Sequence, residues 1–199
     1  TLPDAVKLDT RDFDDGAYDL TVRLETVTGS WAERTGRVVL DNWDVIVDEL
    51  QPPLQSGWFG SVPQRRTVIE SDGWREVTGD GAGFFGDEHR LAKATDCAEH
   101  LIWEVERLAR FELTLYARDA ALDGYLDLAV SSDGETWRTV TYTAHETGEA
   151  ASGWRQMVVQ GRLDGGEDVR YFRLLLRGDA AGADRIQLGR VEFTITRAP

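Results

Sequence analysis

Apolar and polar residues alternate along most of the chain, with almost no helical spacing. Tyr18, Leu20, Val22 and Leu24 alternate with Asp19, Thr21, Arg23 and Glu25. Leu101, Trp103 and Val105 alternate with Ile102, Glu104 and Glu106, and Phe111, Leu113 and Leu115 with Glu112, Thr114 and Tyr116. A period of two is that of antiparallel strands with one face buried. Further strands are predicted at about 36–47, 65–70, 124–131, 137–142, 154–161, 169–177 and 185–196, divided by the turn signals DDG, SDG and LDGG. A single stretch, Asp87 to Glu99, reads as a helix candidate. Many short strands with glycine-rich turns predict an all-β, antiparallel sandwich or barrel.

The strongest punctuation is QPPLQSGWFG, residues 51–60, where two adjacent prolines oppose a continuous central strand. It divides the chain into an N-terminal β segment at 1–50, a linker at 51–64 and a sandwich at 65–199. Three strands before the linker are too few to enclose a core alone. Leu20, Val22, Leu24, Val38 and Leu40 nevertheless share one apolar face. Leaving five such side chains in water forfeits on the order of 10 kcal/mol, at ~2 kcal/mol each. The face is therefore expected to be covered, either by strands of a longer chain or by the sandwich itself.

Two segments resemble known folds. Leu8 to Asn42, LDTRDFDDGAYDLTVRLETVTGSWAERTGRVVLDN, looks like the last strands of the immunoglobulin-like sandwiches of bacterial secreted glycoside hydrolases and surface proteins. Downstream, AVSSDGETWRTV (Ala129 to Val140) matches the strand, S-x-D-G-x-x-W turn, strand pattern of galactose-binding-like jelly rolls, which include discoidin-type domains and many carbohydrate-binding modules. DRIQLGRVEFTI (Asp184 to Ile195) looks like their closing strand. The resemblance covers about two-thirds of the chain. It implies a jelly-roll β-sandwich preceded by an immunoglobulin-like group of strands. It does not imply a ligand, because such folds hold sugar binders, lipid binders and spacers alike.

Charge narrows the partners. The 199 residues carry 36 acidic and 22 basic side chains, a formal net charge of -14. Such a surface repels phosphate backbones and anionic headgroups, which excludes nucleic acid as an expected partner. No apolar run is long enough to span a bilayer, so membrane insertion is not expected. One cysteine, Cys97, allows no intrachain disulfide and no multi-cysteine zinc site. Arg170, Arg173 and Arg177 form a local basic cluster, expected to pair with carboxylates on neighbouring strands.

No nucleophile elbow, phosphate loop, zinc helix or dinucleotide fingerprint occurs, and His89, His100 and His145 have no ligand spacing. Glu104 and Glu106 share a strand face, as on any solvated strand. A non-enzymatic module is the expectation. Counting strands places the irregular connections at ~78–100, ~118–123, ~143–153 and ~178–184 at one end of the sandwich, and loops on a rigid scaffold carry binding residues. A sugar needs an aromatic face for its C–H surface and polar groups for its hydroxyls. The candidates at that end are Phe84, Phe85, His89, Arg90, Asp119, His145, Glu146 and Trp154. Phe84 and Phe85, between glycines, cannot both point inward on a regular strand. Calcium is the one cofactor the loops suggest, as a structural ion on Asp80, Asp87, Glu88 and Glu192. Trp103 and Trp137 are expected to be core residues. The function expected is a non-catalytic module of a larger, secreted or cell-surface polysaccharide-active enzyme, binding a neutral polysaccharide or oligosaccharide beside the parent's other domains. The alternative is a structural or protein-interaction sandwich that binds no sugar.

Overall fold

Alternation in the sequence becomes strand pairing throughout the computed structural model, which describes residues 8–56, 60–118, 121–163, 168–178 and 185–197. The chain forms two units, one reaching to Asp44 and including Arg197, the other running from Val45 to Thr196.

In the first unit, β1 (Gly16–Glu25) and β2 (Trp31–Leu40) make a two-stranded antiparallel ribbon with Leu20 opposite Gly36, Val22 opposite Arg34 and Leu24 opposite Ala32. The register puts the expected apolar residues on one face. Among the described residues of this unit no second layer lies over them, and Leu20, Val22 and Leu24 are 44%, 52% and 49% exposed. The unit closes through Asp15, whose carboxylate accepts the backbone N–H groups of Asn42 (2.5 Å) and Trp43 (3.2 Å). Arg197 adds ion pairs to Asp41 and Asp44.

The second unit is the antiparallel sandwich. It comprises β3 (Trp43–Asp48), β4 (Leu54–Ser56), β5 (Gly60–Val62), β6 (Thr67–Glu70), β7 (Trp74–Thr78), β8 (His89–Lys93), β9 (Glu99–Glu104) and β10 (Leu108–Ala117). It continues with β11 (Leu126–Ser131), β12 (Arg138–Thr139), β13 (Thr143–Glu149), β14 (Arg155–Arg162), β15 (Tyr171–Leu176) and β16 (Ile186–Thr196). A seven-stranded sheet has the order β13-β14-β10-β16-β8-β7, with β3 also on β16, and a five-stranded sheet the order β12-β11-β15-β9-β6. Their facing sides supply the core. Phe172 of one sheet meets Phe111 and Phe193 of the other at 4.9 and 5.1 Å between ring centroids, and Trp103 meets Phe193 at 5.6 Å.

Three elements depart from the sequence reading. The helix candidate at Asp87 to Glu99 contains β8 instead; its residues are buried, so no alternation marks it as a strand. The supposed loop at 143–153 contains β13, a polar edge strand paired only on one side, to β14. Trp137 is half-buried beneath the Arg173 guanidinium, 4.4 Å from its ring centroid, rather than in the core.

The division after Asp44, not at Gln51, has a physical reason. Asp48 is buried, and its carboxylate accepts from Trp103 Nε1 (2.8 Å), Arg66 N (2.9 Å) and Leu50 N (3.0 Å). β3 is thereby held in the sandwich core. The SSDG turn is held similarly: Asp133 Oδ1 accepts from the backbone N–H groups of Thr136 (2.8 Å) and Glu135 (2.9 Å) and from Ser131 Oγ (2.8 Å).

Replacing Asp48 with Ala strands three donors, and urea unfolding should show a loss of about 3 kcal/mol, a larger loss than removal of residues 8–44 produces. The Thr136 and Glu135 N–H groups and the Ser131 hydroxyl pull the Asp133 carboxyl down to about 2. A depressed acid stabilises the fold above the ordinary aspartate range and loses that contribution as the pH falls through its folded value. Carbon-detected NMR titration should place the Asp133 midpoint near 2, and Ser131→Ala should move it upward.

Candidate functional site

The loop between β7 and β8, residues 79–88, folds over the outer side of the seven-stranded sheet. A short 3₁₀ turn at Gly81–Phe84 ends in Phe85, whose φ of 55° lies in the left-handed region. Close packing requires the small residues here: a Cβ at Gly83 would lie 2.7 Å from the Ala151 Cβ. A non-glycine residue in this conformation costs on the order of 1 kcal/mol. The consequence is that the two phenylalanines diverge. Phe84 turns in to pack edge-on against Tyr116 at 5.0 Å and beside Trp154 at 6.4 Å, while Phe85 is 55% exposed.

Arg90 anchors the loop from below. It is 2% exposed, and its guanidinium donates to Gln187 Oε1 (2.9 Å), Gly79 O (3.0 Å) and Asp87 O, with the Phe84 ring centroid 3.8 Å away. Beside it, burial pushes the Asp87 carboxyl up, and the His89 N–H and the Arg90 charge oppose that rise. Tyr116 Oη donates to Phe84 O (2.9 Å) and accepts from Gln156 Nε2 (3.3 Å); burial, with the charge of Asp87, raises its pKa. Gly189 on β16 leaves the space that Asp87 occupies, since a Cβ there would lie 2.3 Å from Asp87 Oδ2.

Phe85, Glu88 and His89 border a depression of about 570 Å³ whose floor is Thr114, Tyr116 and Gln156. Arg190 closes one side, 3.2 Å from Glu49 and 2.9 Å from Glu192. The arrangement offers one exposed aromatic edge, an amide, an imidazole and a paired guanidinium above the buried Tyr116. That combination suits a small polyhydroxylated ligand.

Of the residues expected from sequence, the structure brings Phe85 and His89 to this depression. Phe84 and Trp154 are corrected to a second, outer core cluster with Tyr116 and Ala150, and Arg90 is corrected to a buried support. His145 is exposed on β13, opposite Val158, and Glu146 is engaged by Arg155 at 3.0 Å. Asp119 lies outside the described residues. For the calcium set of Asp80, Asp87, Glu88 and Glu192, among the described residues no group of three or more His, Cys, Asp or Glu is placed to hold a metal ion. Asp87 lies against Arg90 and Tyr116, whereas Glu192 pairs with Arg190 on β16. Of the expected basic cluster, Arg170 pairs with Glu104 (2.8 Å) and Arg177 with Asp127 (2.5 Å), while the Arg173 guanidinium stacks over Trp137.

Tyr116, Gln156, Thr114 and Arg190 were not anticipated. Their signal was present in the polar phase of β10, β14 and β16, which alternation assigns to the outer face. What was missing was the loop that turns this face into a depression, so the expected site lay at the sandwich end.

No family model and no curated protein sequence matches the chain. Among solved structures, the cleaved K2 adhesin domain of Lys-gingipain is similar over 61% of this chain and 89% of its own, at 15% identity and a TM-score of 0.39. The CBM51-2 and INT domains of Clostridium perfringens ZmpB, solved in complex with GlcNAc, are similar over 92% of this chain at 11% identity and a TM-score of 0.33. The catalytic domain of a GH87 alpha-1,3-glucanase in complex with nigerose gives 78%, 14% and 0.38. The chain spans 38% and 28% of the latter two structures.

Gly189→Ala should expel the Asp87 carboxylate, release the 79–88 loop and lower the melting temperature by several degrees. Gly79→Ala, whose Cβ would meet nothing within 4 Å, should do so only through its positive φ, and by less.

Proposed function

We propose that this chain is a non-catalytic carbohydrate-binding module and that a neutral sugar sits in the depression beneath Phe85. The observation that carries this reading is the Phe85 ring, more than half exposed on a strained backbone beside Gln156, Tyr116 and His89. The left-handed residue ends the 3₁₀ turn and rests the tip of the ring on Gly148, while the exposed part of the ring lies beside polar groups suited to hydroxyls. A neutral glycan fits better than a uronate. The chain is strongly acidic, Glu49, Asp87 and Glu88 border the depression, and its one arginine is paired.

The reading includes a setting. The module would serve a larger polysaccharide-active protein, outside the cell or at its surface, with a neighbouring catalytic domain as its partner. Burial of Phe84, Phe85 and Trp154 together would favour a spacer, and Phe85 is exposed.

Glycan arrays and affinity electrophoresis with neutral plant and microbial polysaccharides test this. Binding is expected, with affinity at least tenfold lower in Phe85→Gly. That variant also removes the left-handed strain, so its stability should stay within ~1 kcal/mol of the parent or exceed it. No retention on any glycan would leave the spacer reading in place.

A further inference from the structure

The depression under Phe85 is one end of a longer feature. Strand register lays out the outer face of the seven-stranded sheet as a grid. On β10 the outward positions are Arg110, Glu112, Thr114 and Tyr116, opposite Arg162, Gln160, Val158 and Gln156 of β14. On β16, Glu192 lies opposite Glu112 and Arg190 opposite Thr114. A second cavity of about 640 Å³ occupies this face next to the first. Glu112, Gln160 and Glu192 border it, while Thr114, Gln156 and Arg190, the neighbouring outward positions, border the depression under Phe85. The Arg190–Glu192 ion pair at 2.9 Å joins the two.

The far cavity continues the polar side of that chemistry. Tyr142 borders it, but its ring packs against the inner core and its hydroxyl donates to Leu126 O of the five-stranded sheet at 3.3 Å, so the cavity is lined by polar and charged side chains. Thr143 and Gln160 present a hydroxyl and an amide to solvent, and Arg110 and Arg162 balance Glu112 and Glu192 in charge. Gln156 to Gln160 is four residues along β14, ~14 Å at the rise of an extended strand. The full run from Arg110 to Tyr116 on β10 is ~20 Å. A single terminal sugar would fill one cavity and leave the other vacant.

We infer that the outer face of the seven-stranded sheet is one continuous groove for a linear neutral oligosaccharide, running along β10 and β14 from Phe85 to Gln160. This rests on the carbohydrate-binding reading and specifies its ligand as the interior of a chain of several rings, not a chain end. One ring meets the Phe85 aromatic and the rings beyond it meet polar side chains, with the middle lined by the polar Thr114 and His145 and the small apolar Val158.

Calorimetry with the whole chain tests it, using β-1,4- and β-1,3-linked gluco-oligosaccharides and β-1,4-linked manno-oligosaccharides of increasing length, from the monosaccharide to the hexasaccharide. Affinity for the preferred series should rise at least tenfold between disaccharide and hexasaccharide. Gln160→Trp, which fills the far cavity from an exposed strand position, should return the hexasaccharide to the affinity of the disaccharide while leaving disaccharide binding and the melting temperature unchanged. A hexasaccharide no tighter than the disaccharide would overturn the groove and leave the Phe85 site standing. Length dependence that persists in Gln160→Trp would overturn the path along β14. Failure of every oligosaccharide to bind would overturn the carbohydrate reading itself.

Discussion

A buried guanidinium needs every donor satisfied, and meeting that demand at Arg90 organises the outer side of the seven-stranded sheet. The planar fork reaches Gly79 O, Asp87 O and Gln187 Oε1, which ties both ends of the 79–88 loop and the closing strand to one group. The Phe84 ring lies against its face, and Asp87 supplies nearby negative charge. With the loop pinned at both ends, its interior has little freedom. Phe84 must enter the outer cluster, and the next residue must turn back through a left-handed conformation, presenting Phe85 to solvent.

The sandwich therefore has two apolar layers of unequal size. The inner one, between the sheets, is a stack of aromatic rings and aliphatic side chains that stabilises the fold. The outer one, Phe84, Tyr116, Ala150 and Trp154, covers part of the seven-stranded sheet's solvent side. It gives the face relief, because a sheet that is covered at one end and bare along the rest has a sheltered trough beside the cover. Gly189 contributes by absence of a side chain, leaving room for Asp87 between the strand and the loop.

Charge is distributed to the same effect. In a chain of net charge -14, Arg177 and Arg170, at the two ends of β15 in the five-stranded sheet, are held by Asp127 and Glu104. On the opposite sheet Arg190 lies between Glu49 and Glu192. Exposed pairs of this kind add little to stability. They do hold polar atoms in fixed positions, and they leave no concentrated positive field for a polyanion.

How far the sequence reaches can be judged strand by strand. Alternation in Phe111–Tyr116 identified β10, its inward phase and its polar outward phase, and the S-x-D-G turn identified the β11–β12 connection, because these depend only on neighbours along the chain. β8, buried throughout, and β13, a polar edge, lack the one-sided environment that writes a period of two into a sequence, and both were missed. Phe84, Phe85 and Arg90 were recognised as special, but their roles were not separable from the string GDGAGFFGDEHR: which ring is buried depends on Tyr116 and Trp154, and whether the arginine meets ligand or backbone depends on Gln187, 97 residues away. Local periodicity thus determined the all-β class and most of the core. Long-range contacts alone decided where the loop lies, which residues it hides and which face of the sheet it turns into a site.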